Sequence, residues 1–245
     1  MIYAVGDIHG QRDMLAELLA SMTSQPLCNG DSVVFLGDYI DRGPQSKDVI
    51  EILLEFQGQQ GNCIFLRGNH EQMMLDSRDG PPPIAAGKPD RFAFSEVMAG
   101  WFENGGLDTL RSYPVKDVEL WWESIPDAHW KFIEATEMEY VTDRYHFVHA
   151  GLLSPGEAWE GELWGLDPRL WIREQFLESN VDFEGRIVVF GHTPQRTGQP
   201  LILPNKIGLD TAAAYGGPLT AAALDPDNVG PPHFFQAWPG KLDRE

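Results

Sequence analysis

A chain of 245 residues with 42% hydrophobic content is long enough to bury a sizeable core, and most naturally forms one α/β domain over residues 1–245. Its formal charge of -19 and pI near 4.6 disfavour nucleic acid and anionic membranes as partners, and no local Lys/Arg cluster offsets that field. Cys28 and Cys63 lack metal-binding spacing and read as buried thiols of a reducing compartment.

The opening "MIYAVGDIHG" enters a short strand directly from Met1. It has no basic and then apolar leader, and no apolar run approaches about 18 residues, so a cytoplasmic location is expected. Next come Leu15, Leu18, Leu19 and Met22, spaced i, i+3, i+4, i+7 as one face of a helix. A second strand, "SVVFLGD", precedes a second such helix with Val49, Ile52, Leu53 and Phe56. The strand "NCIFLRGNH" then leads into a helix whose Met73, Met74 and Leu75 should pack on the sheet. Alternating strand and helix argues for a layered α/β sheet.

From Asp79 to Asp143 the character changes to a Pro/Gly-rich loop, "DGPPPIAAGKPD", followed by helical stretches holding Trp101, Trp121, Trp122 and Trp130. This reads as a helical, Trp-rich insertion over residues 79–143, packed on one edge of the sheet. Its tryptophans are either plain core or a wall that selects substrates. Beyond it, "YHFVHAG", "IVVFGHT", "NKIGLDT" and "LTAAAL" read as strands of a mixed second half, and "PGKLDRE" as a frayed end.

Five strands end in a polar residue able to bind metal: Asp7 with His9, then Asp38, Asn69, His149 and His192. Open α/β sheets place ligands at strand carboxyl ends, so one crevice can collect all six. A single such residue is usually a turn former. Six of them, each beside Gly or Ala in "GDIHG", "GDYIDRG", "GNHE", "HAG" and "GHT", are hard to read that way. The donors are too many for one ion that keeps a position open, whereas two ions sharing a carboxylate use them well, with Asp38 the natural bridge. Two ions roughly 3.5–4 Å apart clamp an in-line displacement and acidify a bound water, which is the chemistry of phosphoester hydrolysis.

In these five ordered blocks, and in "GNHEQMM", "LWIRE" and "LDTAAAYGGPLTA", the chain resembles the phosphoprotein phosphatase family of calcineurin-like metallophosphoesterases, especially short bacterial and phage serine/threonine phosphatases. The resemblance implies a four-layer fold: a mixed β-sheet sandwich flanked by helices. It also implies a dinuclear site, with Asp7, His9 and Asp38 on one ion and Asp38, Asn69, His149 and His192 on the other. Two divalent ions are implied, manganese foremost, with iron and zinc as alternatives. On the family pattern His70 is the general acid that protonates the leaving oxygen, a role worth about 10²–10⁴-fold, with Asp41 fixing its tautomer.

Arg42 and Arg173 are candidates for clamping phosphate oxygens through paired guanidinium donors, with Asn69 as a further substrate contact. Arg42 adjoins the ligand loop. Arg173 rests on the resemblance, against the reading of a surface arginine paired with Glu174 or Glu178. Two cations and two arginines make a positive well in a negative globule, suited to phosphorylated proteins, peptides or small phosphoesters. Where many relatives have aspartate, threonine, glycine and alanine, this chain has Asp210, Thr211, Ala212 and Ala213, so neither Asp210 nor Tyr215 receives a catalytic role.

The leading expectation is a phosphatase for phosphoserine and phosphothreonine, extending to phosphotyrosine, that works by direct attack of a metal-bound hydroxide. The close rival is a dinucleoside polyphosphate hydrolase acting on substrates such as diadenosine tetraphosphate. Those relatives typically lack an aspartate at the place of Asp41 and carry GNHD, whereas this chain has "DRG" and "GNHE". A non-catalytic binding protein on the same scaffold would have lost a ligand or the acid, and none is missing. No signal of oligomeric state stands in the sequence.

Overall fold

Two five-stranded sheets form the centre of the computed structural model, which describes residues 1–24, 27–28, 30–79, 91–227 and 230–240. Chain order runs β1 (Ile2–Val5), α1 (Arg12–Met22), β2 (Ser32–Phe35), α2 (Ser46–Gln60), β3 (Cys63–Phe65) and α3 (Asn69–Asp79). There follow α4 (Arg91–Trp101), a π-helical turn (Phe102–Gly106), α5 (Leu107–Ser112), a 3-10 helix (Val118–Ser124) and α6 (Asp127–Glu134). The remainder comprises β4 (Glu139–Val141), β5 (Tyr145–Val148), α7 (Pro168–Trp171), α8 (Glu174–Glu178), β6 (Ile187–Phe190), β7 (Leu201–Leu203), β8 (Lys206–Gly208), β9 (Leu219–Leu224) and β10 (His233–Ala237).

The first sheet has the order β10-β9-β1-β2-β3, with β1, β2 and β3 parallel and β9 returning antiparallel to β1. The second has the order β4-β5-β6-β8-β7, with β5, β6 and β8 parallel and antiparallel strands at both edges. Side chains alternate across a strand. Ile2, Ala4, Val34 and Leu36 therefore face Phe147, Val189 and Ile207 of the second sheet, while Val5, Val33 and Phe35 face α1 and α2. On the far side, Val148, Val188 and Phe190 pack against Ile172 and Phe176 beside α7 and α8. The result is the four-layer α/β sandwich, helix on sheet on sheet on helix.

Both amphipathic patterns form the helices expected: Leu15, Leu18, Val49 and Leu53 are fully buried in one core, at about 1.5–3 kcal/mol for each such side chain. Met74 and Leu75 of α3 join that core. The stretch from 79 to 143 is helical in pieces from Arg91 to Glu134, and its last residues instead form β4 of the second sheet. Trp101, Trp121 and Trp130 are buried and Trp122 packs against them, so the core reading holds for these rings. Residues 80–90 of the Pro/Gly-rich loop and 241–245 of the tail lie outside the described residues. Cys28 is exposed in the connection from α1 to β2 rather than buried, and Cys63 is half-buried. Among the described residues no helix is long and apolar enough to cross a membrane.

Candidate metal centre

The parallel strands of both sheets deliver their polar end residues to one crevice. Asp7 and His9 follow β1, Asp38 follows β2, and Asn69 and His70 open α3 just after β3. His149, His192 and Asp210 follow β5, β6 and β8 of the other sheet. All of these side chains are buried, none with more than 5% exposure. The loops after β1 and β2 are zipped together, since the N–H groups of Ile8 and His9 donate to Asp38 O at 3.0 and 2.8 Å.

The backbone here is strained. His9, Asp38, Asp41, Arg42 and His192 all have positive φ, between 46° and 72°, a region that non-glycine residues visit at a cost of about 1–2 kcal/mol each. Gly37, at φ 104°, is needed on two counts: a Cβ there would also lie 2.9 Å from His149 Nδ1.

Asp38 stands between two groups of donors. Its Oδ2 is 3.4 Å from His9 Nε2 and 3.9 Å from His70 Nε2, and its Oδ1 is 3.5 Å from His149 Nε2. Two sets of three donor atoms, one with His9 and His70, the other with His149 and His192, each converge within 4.8 Å and share Asp38. Asn69 Oδ1 lies 3.0 Å from His149 Nε2 and 2.9 Å from His192 Nδ1. His149 donates its Nδ1 proton to Leu36 O at 2.8 Å, so its Nε2 lone pair meets the amide oxygen of Asn69. Two acceptors facing one another require a shared cation or an extra proton between them. Burial, first of all, holds the His9, His149 and His192 imidazoles below their usual range, which favours the neutral form that ligates metal. Among the described residues the His192 Nε2 has no hydrogen-bond partner. These residues fit divalent cations.

Asp7 accepts the His192 N–H on both oxygens, at 3.1 and 2.9 Å. Burial, then the charges of Asp210 and Asp38, push its carboxyl well above the ordinary range. Asp210, likewise buried, is pushed up to about 6. It is thus a third carboxylate of the crevice, at the end of a strand like the others, so the signal that marked Asp7 and Asp38 also marked "GLDT". Ala212, two residues further on, has φ 65° and donates its N–H to Asp210 Oδ1 at 2.9 Å.

His70 donates from Nδ1 to Asp41 Oδ2 at 2.7 Å with both side chains fully buried, and among the described residues its Nε2 has no hydrogen-bond partner. Burial disfavours the imidazolium, but the Asp38 charge and the Asp41 hydrogen bond outweigh it and raise the His70 pKa. Arg42 donates from Nη1 to His9 Nε2 at 2.7 Å, occupying the lone pair that ligation would use. Arg173, at the rim, donates to His192 O at 3.3 Å, and among the described residues no ion pair links it to Glu174 or Glu178.

Sequence reading passed over Glu71. It is fully buried and accepts N–H groups from Asp38, Gly68 and Tyr39 at 2.9 to 3.0 Å. In the sequence it closes the block "GNHE", which bears on substrate class and gives no sign that its carboxylate supports the Asp38 turn.

A model of the calcineurin-like phosphoesterase family matches residues 1–204. The serine/threonine-protein phosphatase 1 of Salmonella typhimurium is 29% identical over 230 residues, covering 91% of each chain. A symmetrical bis(5'-nucleosyl)-tetraphosphatase of Janthinobacterium is 25% identical over 270 residues, covering 91% of this chain and 92% of that one. Among solved structures, a protein titled a putative diadenosine tetraphosphatase aligns with TM-score 0.56 at 21% identity, covering 98% of this chain and 94% of that chain. At that identity the likeness concerns the fold.

Proposed function

This chain belongs to the calcineurin-like phosphoesterase family, and within it we propose a protein phosphatase that hydrolyses phosphoserine and phosphothreonine monoesters, with phosphotyrosine as a further substrate. A phosphatase enzyme using divalent metal follows from the family and from the serine/threonine phosphatases among its relatives; the choice of ester is our reading. The observation that carries it is the fully buried Asp41–His70 pair, 2.7 Å apart, with His70 Nε2 3.9 Å from Asp38 and without a hydrogen-bond partner among the described residues. An alkoxide leaves poorly without a proton, so a built donor favours serine and threonine esters.

In this reading Asp7, His9 and Asp38 hold one ion, and Asp38, Asn69, His149 and His192 hold the other, with manganese foremost. When bound, such ions supply Lewis-acid polarisation of the phosphoryl group and acidify water. Arg42 exchanges its His9 contact for phosphate oxygens, and Arg173 and Asn69 complete the grip. His70 passes its Nε2 proton to the departing oxygen while Asp41 keeps the Nδ1 proton in place.

The rival, hydrolysis of dinucleoside polyphosphates, is favoured by the Janthinobacterium relative. Both readings are tested by comparing kcat/KM on phosphoserine, phosphothreonine and phosphotyrosine peptides and on diadenosine tetraphosphate with one manganese-loaded sample. The phosphatase reading expects the serine and threonine peptides to lead; a clear preference for diadenosine tetraphosphate overturns it.

A further inference from the structure

Asp41 is held by more than His70. Its Oδ2 also accepts the Trp101 indole N–H at 2.9 Å, and its Oδ1 accepts the Thr109 hydroxyl at 2.6 Å. Trp101 ends α4 and Thr109 lies in α5, so both donors come from the Trp-rich helices, 60 and 68 residues away in sequence. The Asp41 N–H in turn points at Thr109 Oγ1 at 2.8 Å and at Ser46 Oγ at 3.1 Å.

The donors are themselves fixed. Trp101 has no exposed surface, its ring lies 4.7 Å from that of Trp121, and a Cβ on Gly106 would come within 2.6 Å of it. Thr109 is also fully buried. Asp41 and Arg42, with φ of 72° and 66°, form a strained pair that surrounding contacts must hold. Here the hold is supplied by helices that, among the described residues, contribute no donor to the crevice.

We propose that Trp101 and Thr109 are positioning residues for the proton donor: they lock the Asp41 carboxylate so that it presents one oxygen to His70 and keeps Nε2 aimed at the leaving group. The inference rests on the reading of His70 as the acid. It adds that the Trp-rich helices take part in catalysis through Asp41 rather than only in packing or substrate selection.

The test uses Trp101→Phe, which keeps a buried ring and removes the N–H, and Thr109→Val, which keeps shape and removes the hydroxyl. Each is assayed in the metal-loaded full chain on a phosphoserine peptide and on p-nitrophenyl phosphate, whose phenolate leaves without help. The expected result is a fall in kcat of about tenfold on the peptide, about twofold or less on the aryl ester, and little change in KM. In the metal-free protein, the His70 ring nitrogen resonances followed by NMR should shift in both variants.

Equal losses on the two esters with unchanged His70 resonances would overturn the proposal. If one variant does not fold, the other decides by the same two readouts. A wild-type protein inactive on phosphoserine peptides would instead sink the functional reading, and the resonances would still report whether the clamp exists.

Discussion

Glu71 and His70 are neighbours in α3 with no exposed surface, yet one serves the backbone and the other faces the crevice. Each Glu71 oxygen is surrounded by N–H donors, so Glu71→Gln would turn an amide NH₂ against one of those pairs. The expected loss is about 2–4 kcal/mol, read as a lower urea midpoint of the metal-free protein. A change under about 0.5 kcal/mol would show that the carboxylate is not what holds the Asp38 turn. For His70→Asn the expectation is kinetic: hydrolysis of a phosphoserine peptide should fall about 10²-fold or more, and that of p-nitrophenyl phosphate far less. Bound metal, measured by elemental analysis, should be retained. The distance from His70 Nε2 to Asp38 also suits a ligand, so loss of metal would move His70 from donor to ligand. The residues that converge on the crevice were legible as candidates because strand ends carry a local signature. Asp210 carried the same strand-end signal in "GLDT" and was set aside because of the Ala212 departure, whereas the role of Glu71 depends on the N–H groups that folding brings around it.

At the scale of elements, the strands found in the sequence were apolar runs bounded by Gly, Asp, Asn or Pro. The three not anticipated, β4, β7 and β10, all lie at sheet edges, where pairing on one side only is set by tertiary contacts. The helices that reach Asp41 were legible as Trp-rich and helical, but nothing local announced that one indole would meet a carboxylate 60 residues earlier. The π-helical turn between α4 and α5 is where they dock. Gly105, at φ 110°, brings its carbonyl to the Arg42 N–H at 3.4 Å, and a Cβ there would lie 2.6 Å from Arg42 N. Gly105→Ala therefore has to displace either the turn that carries Arg42 or the helices themselves. We expect it to raise KM for phosphopeptide about tenfold and to lower stability by about 1–3 kcal/mol, read from kinetics and urea unfolding. Unchanged kinetics and stability would show that this approach is not required.

For the molecule as a whole, the charge distribution makes metal part of the folding equilibrium. Asp7, Asp38 and Asp210 are buried together in a chain of net charge -19; burial first, and then the neighbouring carboxylates, makes Asp7 and Asp210 hold their protons more tightly than ordinary carboxylates. Cations that bind the folded crevice and not the open chain must stabilise it, by about 2.7 kcal/mol at a free concentration 100 times the Kd. Adding manganese to chelator-treated protein should thus raise the unfolding midpoint and chelator should reverse the gain. A protein this acidic also gains from general screening, which any salt supplies. The two effects separate by stoichiometry. On the proposed reading, binding in the crevice should saturate near two ions per chain and be largely lost in Asp38→Asn, because that residue stands between the two donor groups, whereas sodium chloride at matched ionic strength should give a smaller rise with no saturation point. A manganese effect no larger than that of the sodium salt, and unaltered by Asp38→Asn, would mean that the buried carboxylates and imidazoles do not form a metal centre.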